Sequence, residues 1–198
     1  MTFATFLALL LFSFVSSITP GPNNIMLFAS GVNFGLRRTW PHAVGIAFGF
    51  GILLLAVGSG LGVLFETVPI LFQAIKICGG IYMLYLAWRI ANSGSVEIKD
   101  AASRPMTFLE AALFQWVNPK AWVMAMVAMS TYTLEGTYWI NVLIVVAAFC
   151  VVNFPSVTAW AAFGMGMRRF LSDERKLKLF NWLMAVLLVA SLWPMLTV

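Results

Sequence analysis

The sequence predicts an all-α integral membrane protein with six transmembrane helices. Of its residues 62% are hydrophobic and only 10% are charged, whereas soluble domains are about 45–50% apolar and about 25% charged. The charged residues are bunched between long apolar stretches, each near or above the roughly 20 residues needed to cross a hydrocarbon core. The predicted spans are residues 2–34, 41–64, 69–91, 107–134, 138–163 and 178–197.

The first three spans form a predicted unit of residues 1–91, and its first span is overlong and contains Thr19-Pro20-Gly21-Pro22-Asn23. Proline has no backbone N–H and its ring clashes with the preceding turn, so a continuous helix is not expected here. In lipid, an unpaired backbone group is tolerated only inside protein or beside a water-filled cavity. We therefore predict a functional break in span one, against the alternative of a simple proline kink.

A new half-helix is expected to begin after Pro22, with Asn23 or Asn24 as its cap. The free N–H groups at its start and the positive end of its dipole suit a carboxylate. Gly21 lets a ligand approach the backbone closely. The Thr19 hydroxyl is among the nearby groups expected to relieve the carbonyls that the prolines leave without donors.

The last three spans form a second predicted unit, residues 107–198, joined to the first by a polar connection at 92–106 that we expect to be a cytoplasmic loop. Span four contains a second break at Asn118-Pro119, followed by Lys120, whose charge costs about 2.5–3.5 kcal/mol at the centre of a membrane helix. A duplicated unit of three helices lies inverted relative to its first copy, as in many transporters. We predict two inverted three-helix repeats with broken helices one and four.

Two further polar residues, Lys76 and Asn153, lie within predicted spans. Counting along straight helices places Lys76 and Lys120 both about 10 Å below the outer surface, so one cavity is expected to accommodate both cations. The alternative for each is snorkelling to the interface. Asn153 either lines a cavity or pairs the carbonyl that Pro155 frees. The predicted substrate-binding residues are Thr19, Pro20, Gly21, Pro22, Asn23, Asn24, Lys76, Asn118, Pro119, Lys120 and Asn153.

The charge distribution predicts topology and excludes several functions. Ten of the twelve Lys and Arg residues follow or end spans one, three and five, so the positive-inside rule places both termini on the periplasmic side. The basic surplus therefore indicates no nucleic-acid partner. The single histidine, His42, is expected at the cytoplasmic interface. With a single histidine, no deep carboxylate and no H-E-x-x-H motif, we expect no catalytic residues, no metal site and no cofactor. A pocket with cations and half-helix N-termini but no carboxylate favours an anionic or zwitterionic ligand.

Small residues recur at a spacing that lets membrane helices approach closely. The pairs are Gly31-x-x-x-Gly35, Gly45-x-x-x-Gly49 and Gly58-x-x-x-Gly62. Packing within one chain is the expected role, and a homodimer interface stays open as the alternative.

These residues resemble the LysE/RhtB superfamily of bacterial amino-acid exporters over about the first 125 residues. Leu183-Met184-Ala185 departs from the family pattern, because a glycine is often found there. The residues that carry the likeness are Thr19-Pro20-Gly21-Pro22-Asn23, Gly35, Gly45, Gly49, Lys76, Gly79, Tyr82, Trp88 and Asn118-Pro119-Lys120.

The resemblance implies a secondary transporter of the bacterial inner membrane that exports small neutral or zwitterionic amino acids by alternating access. Cysteine, O-acetylserine, homoserine and leucine are the substrates of the branch that the chain looks closest to. The resemblance also implies an ion gradient as the energy source, with the proton as the expected coupling ion. Two alternatives stay open from the residues: an efflux component for lipophilic compounds, and a membrane accessory subunit with no transport of its own.

Overall fold

The structure is a computed structural model that describes residues 1–93, 104–133, 137–171 and 173–193. Within these ranges it is helical, with no strand. The elements are α1 (Phe3–Ile18), α2 (Pro22–Phe34), α3 (Leu36–Ala56), a π-helical turn (Val57–Leu61), α4 (Gly62–Thr67), α5 (Pro69–Ala91), α6 (Phe108–Phe114), α7 (Pro119–Tyr132), α8 (Tyr138–Met167) and α9 (Glu174–Ala190).

Two helical segments in the described ranges are long and apolar enough to cross a membrane. They are Leu36–Leu61 and Tyr138–Met167, each with a mean hydropathy of 2.2. The helices α1 and α2 make a third if the bent pair is one span, and the bend between them is 55°. The six-span count and the repeat architecture therefore stay predictions. Residues 94–103 of the predicted loop and 194–197 of span six lie outside the described residues.

Span one is interrupted where its prolines predict. α1 ends at Ile18, and α2 begins with Pro22 in the first turn, where a missing N–H leaves no helical hydrogen bond unmade. The freed carbonyls find other donors: the Thr19 hydroxyl donates to Ser16 O at 3.0 Å, and Trp160 Nε1 of α8 donates to Ile18 O at 3.0 Å. The break is thus paired by side chains, one of them from a distant helix.

Span four is also interrupted at its predicted position. α6 begins with a capping box, in which Thr107 Oγ1 accepts from Glu110 N at 3.2 Å and Glu110 Oε2 accepts from Thr107 N at 2.8 Å. It ends at Phe114 after two turns. α7 begins with Pro119, again at the first helical position, and Asn118 is its cap.

Glycines set the closest helix contacts, as their spacing predicts. Gly31 of α2 faces the backbone of Ala161 in α8, and Gly45 of α3 faces that of Phe108 in α6. Gly49 of α3 likewise meets the backbone of α6 one turn further on. A Cβ at any of these positions would collide with backbone atoms, so these glycines serve packing within the chain.

One irregularity in span two has no counterpart in the sequence prediction. The π-helical turn contains Gly60 with a φ of 101°, a conformation that residues with a Cβ rarely adopt. The carbonyl of Gly58, in the same turn, accepts a hydrogen bond from the Tyr138 hydroxyl of α8 at 2.6 Å. α8 itself runs without interruption through Pro155.

Candidate functional site

The two helix breaks meet in one cleft. Seven of the predicted binding residues line it: Gly21, Pro22, Asn23, Asn24, Asn118, Lys120 and Asn153. The other lining residues, which were not among those predicted, are Ser16, Ser17, Phe50, Gln115, Ala121, Met124 and Val157. The cleft thus lies between α1, α2, α3, α7 and α8, with the end of α6 beside it.

Lys120 ties the second break to the first. Its Nζ donates to Thr19 O at 2.8 Å and to Thr19 Oγ1 at 3.0 Å, with Pro20 O at 3.4 Å. Its stem passes close to Gly21, where a Cβ would lie 2.9 Å from Lys120 Cδ. Thr19 and Pro20 therefore hold the ammonium group in place. Neither residue is among those that line the cleft.

The predicted depth of Lys120 below the outer surface stays a prediction. Lys120 is the second residue of α7, twelve residues before the last one, Tyr132, and so about 18 Å from that end of the helix by the rise per residue. The Lys76 side chain lies outside what the structure describes, so a cavity shared by both lysines stays a prediction.

A pair of side-chain amides forms a second link between the breaks. Asn23 Nδ2 donates to Gln115 Oε1 at 2.8 Å, and Gln115 Nε2 donates back to Asn23 Oδ1 at 3.2 Å. Gln115 is fully buried and also donates to Ala111 O at 2.9 Å. The prediction that Asn23 caps α2 is therefore wrong, because its amide is used to join α2 to the end of α6.

Asn24 does not cap α2 either. Its Nδ2 donates to Ser17 O at 2.8 Å and to Thr19 O at 2.7 Å, so it closes the end of α1. The cap position of α2 is Gly21, which offers no side chain. The backbone N–H groups of Asn23 and Asn24 consequently have no hydrogen-bond acceptor among the described residues.

The backbone N–H groups at the start of α7, unlike those at the start of α2, have hydrogen-bond acceptors. Asn118 Oδ1 accepts from Lys120 N at 3.2 Å, and Asn118 O accepts from Ala121 N at 3.0 Å. The start of α7 is thus satisfied by its own cap, whereas the start of α2 is open towards the cleft. Of the two half-helix N-termini that meet here, only that of α2 retains free donors for a ligand.

Asn153 lines the cleft, which decides between its two predicted roles. Its Nδ2 donates to Ser17 Oγ at 3.1 Å. The residue is 5% exposed, and its buried Oδ1 has no hydrogen-bond partner among the described residues. A buried acceptor of this kind costs free energy unless a ligand or water pairs it.

In the part of the chain that the structure describes, the cleft therefore offers two kinds of polar group and no fixed negative charge. Backbone N–H groups and an ammonium group suit a carboxylate, while the bare Asn153 Oδ1 suits a donor such as an amine. No acidic side chain is among the residues that line it. Within the described residues, no group of three or more His, Cys, Asp or Glu is placed to hold a metal ion.

Comparison with known proteins gives a family match over most of the chain. The model of a family described as LysE type translocator matches residues 14–191, beyond the part in which the motifs were recognised. The cysteine/O-acetylserine efflux protein of Klebsiella pneumoniae subsp. pneumoniae is 32% identical over 187 residues, 92% of each chain. Those of Salmonella typhimurium and Escherichia coli K12 are 29% identical over 181 residues, 90% of each chain. No solved structure matches.

Proposed function

Because this chain belongs to the LysE type translocator family, we propose that it exports small zwitterionic amino acids or close derivatives across the bacterial inner membrane. Proteins similar to it over nine-tenths of their length are named for the efflux of cysteine and O-acetylserine. The observation that carries the proposal is the cleft in which both helix breaks meet. Its polar groups fit the two charged ends of an α-amino acid.

In the proposed complex the substrate carboxylate lies at the start of α2. It accepts from the backbone N–H groups of Asn23 and Asn24, and the Lys120 ammonium group supplies the opposing charge. The substrate amine donates to Asn153 Oδ1 on α8. Gly21 supports this arrangement because its lack of a side chain leaves room beside Lys120.

Binding at this position would also loosen the contact between the breaks. The three donors of the Lys120 ammonium group are directed at oxygens of Thr19 and Pro20. A carboxylate that takes one of them releases a hydrogen bond to a charged group, each worth about 1.5–3 kcal/mol. The ammonium group keeps a charged partner, while the link between the two breaks loses one hydrogen bond. Because conformations of one protein commonly differ by a few kcal/mol, weakening this link is on the scale of the difference between two transport states.

The proposed architecture has six spans in two inverted repeats, residues 1–91 and 107–198, with both termini periplasmic. In such a duplication α1–α2 corresponds to α6–α7, and α3 corresponds to α8. Two contacts support it: α1 packs on α8, and α6 packs on α3. These contacts are equivalent under the exchange of repeats. Pro22 and Pro119 also occupy the same position at the start of the second half-helix.

Uptake into inside-out membrane vesicles tests the function, because export in the cell becomes uptake there. We expect saturable accumulation of labelled O-acetylserine and reduced cysteine in energised vesicles that contain the protein, and its loss when a protonophore collapses the proton gradient. Uptake equal to that of vesicles without the protein would overturn the proposal. Accumulation of a lipophilic dye in place of amino acids would favour the efflux alternative, and activity only with a co-purifying chain would favour the accessory subunit.

A further inference from the structure

An open groove runs along the surface of the bundle between α3 and α8. It offers about 590 Å³, within the roughly 300–1,000 Å³ typical of sites for small molecules. The start of α3 forms one side of it and the end of α8 forms the other. The residues that line it are Leu36, Arg37, Trp40, Pro41 and Met165. The proposed function assigns this groove no role.

The groove lies at the boundary of the membrane. The two helical segments that are long and apolar enough to cross, Leu36–Leu61 and Tyr138–Met167, have 26 and 30 residues, which is about 39 and 45 Å at the helical rise. A bilayer with its headgroup regions is about 40–45 Å thick. The ends of both segments therefore lie among the lipid headgroups, and the groove lies where the first segment begins and the second ends.

The walls of the groove are apolar and exposed. Trp40 is 48% exposed and Met165 is 43% exposed. The ring of Trp40 packs edge-on against Phe154 of α8, with the ring centres 5.1 Å apart, so this contact joins the two sides. Tryptophan is enriched at this level of a membrane. At this depth the molecules that cover such a wall are lipids, and their acyl chains match its apolar character.

Two arginines give one end of the groove a positive charge. Arg37 lines the groove, and Arg168 directly follows the last residue of α8. Arg168 reaches across to the start of α3, because a Cβ added at Gly35 would lie 3.6 Å from Arg168 Nη1. Both arginines are exposed, and in the described ranges neither guanidinium group has an ion pair or a hydrogen bond.

Acidic side chains do not neutralise this charge in the described part of the chain. None is among the residues that line the groove. The acidic residues closest to Arg168 in the sequence are Asp173 and Glu174, at the start of α9. There Asp173 Oδ1 accepts from the backbone N–H groups of Arg175 and Lys176 at 2.9 and 3.1 Å. The two guanidinium groups therefore stay available to a ligand.

We propose that this groove binds an anionic phospholipid, with its phosphate between Arg37 and Arg168 and an acyl chain along Trp40 and Met165. The planar fork of a guanidinium group binds phosphate oxygens in pairs. Basic pockets between membrane helices bind anionic headgroups in the same way. Under the proposed topology this end of the groove faces the cytoplasm.

The combination of charge and groove selects this ligand over two others. A soluble phosphate engages the arginines but leaves the apolar wall uncovered. A zwitterionic phospholipid covers the wall, but its amine opposes the two guanidinium groups. A lipid whose headgroup carries a net negative charge satisfies both parts. This inference does not depend on which substrate the cleft binds.

Native mass spectrometry of the delipidated chain in detergent tests the proposal, because it counts bound lipids. The probes are phosphatidylglycerol and phosphatidylethanolamine with identical acyl chains. We expect the first phosphatidylglycerol to bind with a half-saturating concentration about 5-fold or more below that of phosphatidylethanolamine, given the usual contribution of a basic residue to binding anionic lipid. Glycerol phosphate, which lacks acyl chains, should not displace it.

Arginine variants locate the headgroup. Arg37→Met should raise the half-saturating concentration of phosphatidylglycerol about 5-fold, and its combination with Arg168→Met should raise it about 25-fold. Arg175→Met is the matched control, because Arg175 is an exposed arginine of α9 outside the groove, and it should bind as the wild type does. The comparison of the two lipids uses the wild-type chain and needs no variant.

Three results would overturn the lipid site. Equal half-saturating concentrations for the two lipids would remove the role of charge. Equal binding by the double arginine variant and by Arg175→Met would place the headgroup elsewhere. Displacement by glycerol phosphate would show a site for soluble anions and not for a lipid. Each of these results leaves the cleft and vesicle uptake untouched, whereas a failure of uptake leaves lipid binding at the groove standing.

Discussion

Lys120 holds a charge inside the protein by surrounding it with oxygens. An isolated lysine at membrane depth is costly, but here Thr19 and Pro20 present carbonyl and hydroxyl oxygens to it. Those carbonyls are available because the break between α1 and α2 ends their helical hydrogen bonding. The break and the lysine therefore compensate each other, and the proposed function assigns the substrate carboxylate to the same ammonium group.

Gly21→Ala should slow transport without unfolding the protein. The φ of Gly21 is −178°, which alanine also adopts, but the added Cβ would lie 2.9 Å from Lys120 Cδ and 3.1 Å from Nζ. Displacing the ammonium group weakens a charged hydrogen bond, which predicts a fall in initial uptake rate of about 10-fold. Gly80→Ala is the matched control, because nothing lies near its Cβ position. Equal uptake rates for the two variants would contradict this role.

Asn153→Leu should raise the KM for O-acetylserine, since the substrate amine loses its acceptor. A rise of about 10-fold corresponds to one lost hydrogen bond, and kcat should change less. Thr158→Val is the control on the same helix, because Thr158 Oγ1 is also buried without a hydrogen-bond partner among the described residues but lies outside the cleft. A KM that rises equally in both variants would show a general effect on α8.

At the scale of elements, the crossing of α2 over α8 depends on glycines that face backbone atoms. Gly164 of α8 meets the carbonyl oxygen of Phe28 in α2. Gly164→Ala should therefore destabilise the protein by about 1–3 kcal/mol, the usual cost of overpacking, which thermal unfolding in detergent measures. Gly166→Ala, with open space at its Cβ position, should unfold at the wild-type temperature. Identical midpoints for the two variants would contradict the close contact.

Both breaks were predictable because each combines proline with other residues that disfavour a continuous helix. Pro20, Pro22 and Pro119 each remove a donor and obstruct the preceding turn, and Gly21 or Asn118 stands next to them. Proline alone does not decide the outcome, since α3 and α8 continue through Pro41 and Pro155. The cleft was predictable to the extent that it follows from those breaks. Seven of its lining residues were found because they lie within or next to a proline motif, or two residues before Pro155.

The long-range connections were not predictable from one sequence. Asn24 caps the preceding helix, and Trp160 reaches Ile18 from α8, because the bend brings those groups together. Gln115 could have been predicted as a site residue, because a polar side chain close to the proline break in an apolar span indicates a polar contact there. The burial of His42 could not have been predicted, because it depends on how α2, α3 and α5 pack.

At the scale of the whole molecule, polar residues recur along α2 inside an apolar bundle. The cleft lies at the start of α2, and a small cavity lined by His42 and Arg89 lies further along the same helix. Beyond it, Asn33 and the fully buried Asn181 exchange hydrogen bonds at 2.7 and 3.1 Å, which fixes α9 to α2. The family match extends to residue 191, so the departure at Leu183-Met184-Ala185 does not remove α9 from the family pattern.

The most direct test of the central claim, that the cleft between the two breaks binds the exported amino acid, is vesicle uptake of labelled O-acetylserine by Lys120→Met against Lys176→Met. Lys176 is an exposed lysine at the start of α9, so the two variants remove the same charge at different places. We predict that Lys120→Met lowers uptake about 10-fold or more at equal amounts of folded protein, whereas Lys176→Met matches the wild type. Wild-type uptake by folded Lys120→Met would contradict the claim.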